Sequence, residues 1–258
     1  MKSLKIVELG QTTCTNLGSA LWFLGDCFSL VMKGRVRMRE VGRQIYEQGI
    51  QSVVIITLTS LASGMVMALQ GYAVTVRFGA KEAIPQLVAL SLVRELSPVF
   101  TALIFSGKAG ARITAEIGTM NVNDQILATR TMGVDPMEFF VVPRMLACMI
   151  VLPLLTVYSE IIGIIGGYFI GTNEAHLSGA FYISQTLKYI RYVDFFSGFI
   201  KVVFFSVLIS LVCCFEGYNT RGGSLGVGKY TTLAVAYSYI FIVLSNTLLT
   251  KLIITFWG

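Results

Sequence analysis

The sequence predicts an all-α, polytopic membrane protein with five transmembrane helices, an N-terminal helix lying in the membrane interface, and a short amphipathic helix on the cytoplasmic side. Three observations carry this. The chain is 55% apolar and only 13% charged, with a mean hydropathy of +0.73, far outside the range of soluble domains. Apolar runs of the length needed to cross a bilayer, about 20 residues each, recur over 50–76, 86–107, 137–171, 195–216 and 231–256. The remaining connections are too short for a further soluble domain, so residues 1–258 read as one domain, and any large cytosolic activity belongs to another chain.

The net charge of +6 would suggest nucleic acid in a soluble protein, but its placement reads as membrane orientation. Lys2, Lys5, Lys33, Arg35, Arg37, Arg39 and Arg43 precede the first span, Lys108, Arg112, Arg130 and Arg144 follow the second, and Arg221 and Lys229 precede the fifth. Arg77, Lys81, Lys188, Arg191 and Lys251 lie on the other side, and Arg94 and Lys201 fall inside spans. The excess on one side places the N-terminus in the cytoplasm and, after an odd number of spans, the C-terminus outside.

Residues 1–48 form an interfacial and cytoplasmic region. The run 17–32 is apolar but short and broken by Asp26, so it is expected to lie in the interface with Trp22 near the headgroups and basic residues 33–43 beside anionic lipid. An ordinary first span there is the alternative, and it would invert the topology. In the first span Ser60, Gly64 and Ala68 recur every four residues, a face on which another helix can pack closely. Met65, Met67, Gln70, Thr75 and Phe78 surround it, either as plain core or as an adaptable apolar lining.

The second span carries Arg94 and Glu95 about seven residues from its outer end, followed by Pro98. Burying such charges in lipid costs several kcal/mol, so they should face a cavity or a partner. Neighbours on a helix diverge by about 100°, so the two need not pair with each other. A structural charge network, for instance with Lys201, and a polar lining to a substrate cavity both remain open. Beyond Gly107, Ile113, Ile117 and Met120 share one face and Glu116, Asp124 and Gln125 lie to other sides, as in an amphipathic helix at the cytoplasmic surface. Gly118 inside it suggests that another backbone comes close.

The third span has Pro143 and Pro153, which invite kinks, then Gly163, Gly166, Gly167 and Gly171 as a second close-packing face. Glu160 between them reads as a buried functional acid or a charge near the outer headgroups. Lys201 of the fourth span is expected to snorkel. The run Gly223 to Lys229 fits part of a phosphate-binding loop, but Tyr230 stands where Ser or Thr would hold a metal, so a cytoplasmic turn is expected. The five cysteines show no metal spacing, and His176 is the one histidine. No metal site is assigned, and no nucleophile and base set can be assembled for an enzyme.

ALQGY (68–72), ALSLVRELSPV (89–99), AEIGTM (115–120), DQI (124–126), MGVDP (132–136), VPR (142–144), LPLLTV (152–157) and GGY (166–168) stand in an order and spacing that resembles the MlaE (YrbE) family of ABC-transporter permease subunits. The resemblance covers nearly the whole chain. It implies a homodimer in the bacterial inner membrane, moving phospholipid between the inner and outer membranes and maintaining outer-membrane lipid asymmetry. A cytosolic ABC ATPase would hydrolyse ATP with Mg, and a periplasmic MCE-domain protein would sit on the outer side; this chain itself would hold no cofactor. Substrate contacts would come from Met67, Gln70, Gly71, Thr75, Phe78, Arg94, Glu95 and Lys201. The coupling segment 108–135 would dock the ATPase through Arg112, Glu116, Ile117, Gly118, Met120, Asp124 and Gln125. Leu127, Ala128, Thr129 and Arg130 depart from the acidic residue and Ala-Leu that usually follow the family's Gln-Ile. The competing class is an ion-coupled secondary transporter of an apolar or amphipathic substrate, driven through Glu95 or Glu160.

Overall fold

A computed structural model describes residues 23, 25, 26, 29, 30 and 37–257. Among them the regular structure is helical throughout, and five helices are long and apolar enough to cross a membrane. These are α1 (Met38–Thr75, extended by a 3₁₀ turn to Phe78), α2 (Lys81–Val122), α4 (Met137–Asn173), α6 (Tyr192–Tyr218) and α7 (Gly223–Trp257). Two shorter helices connect them: α3 (Gln125–Thr131) between α2 and α4, and α5 (Gly179–Tyr189) between α4 and α6.

The helix pair α1 and α4 forms the spine, because small residues on both let the backbones touch. A Cβ at Gly64 would overlap the Gly163 carbonyl, and one at Gly166 would overlap that of Leu61. Ser60 and Ser159 share a hydrogen bond at 2.7 Å, and Thr57 and Tyr158 one at 2.8 Å. The two small-residue faces read from the sequence are thus the two halves of one interface. Gly167 and Gly171 receive the Tyr182 ring of α5 instead, which stands edge-on to Tyr168.

α2 departs from expectation in length. It runs 42 residues, about 63 Å at helical rise, twice the roughly 30 Å of a hydrocarbon core. The segment after Gly107 is therefore no separate helix lying in the interface. It continues the same helix past the length of the hydrocarbon core, with Ile113, Ile117 and Gly118 buried and α6 and α7 packed alongside. The close backbone lies one helix over, where a Cβ at Gly217 would meet the Thr114 carbonyl at 3.0 Å; Gly118 itself faces the Thr220 side chain. Two turns of α2 are π-helical, Leu92–Leu96 and Ser106–Gly110, as is the first turn of α4, Met137–Val141. Such wide turns re-aim side chains and cluster at functional positions.

The glycine-rich run from Gly223 is not a turn but the start of α7; the chain reverses just before it, with positive φ at Gly222 and Gly223. α7 is the least covered span, exposing Ile240, Leu244, Leu248 and Leu252 at four-residue spacing. Of the N-terminal interfacial helix, Trp22 and most of 17–32 lie outside the described residues. Phe23 is buried edge-on against Phe215 and Tyr218, at the end of α6 remote from Tyr192.

Candidate functional site

The charges inside the spans meet where α2, α6 and α7 converge. Pro98 has no N–H to give the carbonyl four residues earlier, so the Arg94 carbonyl lacks its α-helical donor. Lys201 fills the gap: its Nζ donates to Arg94 O at 3.0 Å, Glu95 Oε1 at 2.6 Å and Thr250 Oγ1 at 2.8 Å. At 1% exposure Lys201 does not snorkel. The carbonyl, carboxylate and hydroxyl around its ammonium replace the water that snorkelling would have sought. Thr250 Oγ1 also lies 3.1 Å from Glu95 Oε1, and Asn246 Nδ2 donates to Glu95 Oε2 at 3.2 Å.

Arg94 and Glu95 point apart, as neighbours on a helix must. Arg94 Nε sits 3.2 Å from Asp194 Oδ1, and the other oxygen of Asp194 accepts the Arg191 N–H at 3.1 Å, capping α6. The Arg94 side chain is about half-exposed. Both charges line an open cleft of about 280 Å³ with Leu90, Ser91, Ser197 and Ile253. A second cleft, about 440 Å³, continues past Glu95 and Thr250 to Asn246 and Lys251. The charge network and an open cleft thus lie at one place.

The structure does not bring the first-span candidates to this cleft. Met67 is half-buried against Ala68, Ile84 and Val88; Gln70 is exposed, Gly71 half-buried, and Thr75 turns back to the Gly71 carbonyl at 2.8 Å. Phe78, 79% exposed, closes the helix end. Glu160 is buried between α4 and α6 near Pro153, Phe195 and Phe199, and its side chain forms no hydrogen bond or ion pair with the described residues. A separate apolar groove of about 480 Å³ runs between α4 and α5, lined by Ile161, Ile165, Ile183 and Leu187 among others.

Beyond the far end of the α2 span lies a second charged cluster. Arg112 Nη2 reaches Glu47 Oε2 at 2.6 Å and its Nε reaches Glu116 Oε1 at 2.7 Å, while Arg144 Nη2 takes Glu116 Oε2 at 2.9 Å. Burial would raise the Glu116 carboxyl, but the hydrogen bonds and charges of Arg144 and Arg112 outweigh it and hold it below the ordinary value. Of the residues expected to face an ATPase, Arg112 and Glu116 are engaged internally and Ile117 and Gly118 are buried. Met120 is half-buried, and Asp124 and Gln125 are exposed. Exposed Leu127 and Met132 join these two at the tip of the hairpin.

Sequence reasoning missed Asp194, Thr250 and Glu47. Asp194 carried a signal as an acid in the first turn of a helix, where it can cap. Asn246 and Thr250 carried another, a polar pair one turn apart inside a span.

Residues 41–252 match the family profile Permease MlaE. The chain is 39% identical over 211 residues, 81% of each protein, to the intermembrane phospholipid transport system permease protein MlaE of Haemophilus influenzae. It is 38% identical over 225 residues, 87% of each, to a probable ABC transporter permease protein of Rickettsia typhi. Arabidopsis thaliana has a relative in its chloroplast protein trigalactosyldiacylglycerol 1, 31% identical over 227 residues, 88% of this chain and 65% of that one. This multi-pass membrane protein is a member of the MlaE permease family.

Proposed function

We propose that this chain is the membrane half of an ATP-driven phospholipid transporter of a bacterial inner membrane. It acts as a homodimer with N-termini in the cytoplasm and C-termini in the periplasm, and serves the lipid asymmetry of the outer membrane. A cytosolic ABC ATPase holding ATP and Mg docks on the hairpin tip around Asp124, Gln125, Leu127 and Met132, and a periplasmic MCE-domain protein receives or delivers the lipid. The observation that carries the substrate class is the polar cleft of α2, α6 and α7, in a protein whose relative is named for phospholipid transport. A half-exposed arginine at its mouth suits a phosphate, which competes with Asp194 for the guanidinium. At about 280 Å³ the cleft lies at the small end for a ligand pocket, enough for a headgroup but not for two acyl chains. The chains then need further apolar wall, which the uncovered face of α7 and the outer half of α1 from Met67 to Phe78 supply in a dimer.

Reconstituting the complex as it purifies and following labelled phospholipid between vesicles tests this. ATP-dependent transfer that Arg94→Ala abolishes is the expected result; transfer by this chain alone, without nucleotide, defeats the proposal. Glu160, buried without a partner among the described residues, favours a second reading, a proton-driven carrier. That reading requires transfer that follows a pH gradient and is lost in Glu160→Gln.

A further inference from the structure

We infer that Glu116 and Arg144 act as a buckle across the base of the cytoplasmic hairpin, positioning residues that make it a rigid lever rather than part of the surface a partner grips. The two residues bracket 117–143, the stretch that leaves α2, turns through α3 and re-enters α4. Both oxygens of Glu116 are taken, Oε1 by Arg112 at 2.7 Å and Oε2 by Arg144 at 2.9 Å. Arg144 is nearly fully buried and also donates through Nη1 to the Phe140 carbonyl at 2.7 Å, holding the wide first turn of α4. Arg112 extends the chain of charge to α1 through Glu47 at 2.6 Å and Gln51 at 2.9 Å. Lys108 adds a bond to the Gln51 carbonyl.

The mechanical consequence follows from which helices are joined. α1 and α4 already share a glycine-to-glycine contact deeper in the span, so a tilt at the hairpin tip moves α1, α2 and α4 together instead of bending the hairpin. A half-buried carboxylate between two guanidinium groups suits this, because losing it strands the buried Arg144 charge and the geometry has few alternatives. The lever role rests on the ATP-driven reading above, and its test separates the two.

In the reconstituted complex, the ATP hydrolysed per lipid moved is compared between the wild type and Arg144→Gln. The ATPase is expected to stay bound and active while the ratio rises about fivefold or more, the low end of site-to-site coupling. Where Arg144→Gln does not accumulate, Glu116→Gln is read in the same way. Arg144→Lys, which keeps a positive charge beside Glu116, is expected to hold the ratio nearer the wild-type value than Arg144→Gln does, which a role in packing alone would not. An unchanged ratio overturns the inference, as does loss of the ATPase from the purified complex, which would make these residues part of the grip. Should the wild type move no lipid with ATP, the transport reading fails. Amide exchange over 123–136 then decides the buckle: faster exchange in Arg144→Gln supports it, and equal exchange ends it.

Discussion

Lys201→Met removes an ammonium bound to three acceptors, and the size of the effect follows from those contacts. Breaking a buried ion pair by deleting one partner costs about 3–5 kcal/mol. The partner left behind decides the place in that range. After Lys201→Met, Glu95 keeps Thr250 and Asn246, and its side chain is 39% exposed to the cleft, so the loss sits near the low end, about 3 kcal/mol. After Glu95→Gln the stranded charge is the lysine, its side chain only 2% exposed, and the loss approaches about 5 kcal/mol. The double variant leaves no charge unpaired and is expected within about 1–2 kcal/mol of the wild type, since a buried pair replaced as a whole is often neutral. Equilibrium unfolding in mixed micelles across the four proteins closes the cycle. Losses that add to within about 0.5 kcal/mol, or a larger loss for Lys201→Met than for Glu95→Gln, would refute the burial argument.

Gly64→Val drives a branched side chain into the Gly163 backbone, where neither side can yield. It is expected to lose at least about 3 kcal/mol in the same unfolding assay, whereas Gly71→Ala, with open space around it, is expected to change little. Tyr182→Phe removes a buried hydroxyl that has no hydrogen-bond partner among the described residues; stability is expected to stay within about 0.5 kcal/mol or to rise. Glu116 has a lowered pKa in the folded state, so its contribution is full above the ordinary carboxylate value of 4.5 and is lost as pH falls below that value toward the lower, folded one. Protection of the amides over 123–136, taken relative to their intrinsic exchange rate at each pH, is therefore expected to fall with acid in the wild type over that window and to stay flat there in Glu116→Gln.

The five spans were legible because each is a run of apolar residues long enough for a bilayer, and lipid admits few other structures for such a run. The close-packing faces were legible for a similar reason: Ser60, Gly64 and Ala68 on one helix and Gly163 and Gly166 on another are spaced for a single stripe. That the two stripes meet each other is a matter of three dimensions. Where the second span stops was not legible, because composition turns polar at Gly107 while the helix does not end there. Its polar continuation is held by neighbouring helices, not by its own hydropathy.

Charge partners divide along the same line. Sequence alone put Arg94, Glu95 and Lys201 inside the membrane and required that something neutralise them. Only the tertiary structure decided that Lys201 serves Glu95 and the carbonyl freed by Pro98, that Asp194 takes Arg94, and that Glu116 closes on Arg144 instead of facing outward. Hydropathy is a local sum along the chain, whereas an ion pair depends on which atoms from distant stretches arrive within about 3 Å of each other. Residues 106 apart, such as Glu95 and Lys201, leave no mark of that meeting in either stretch.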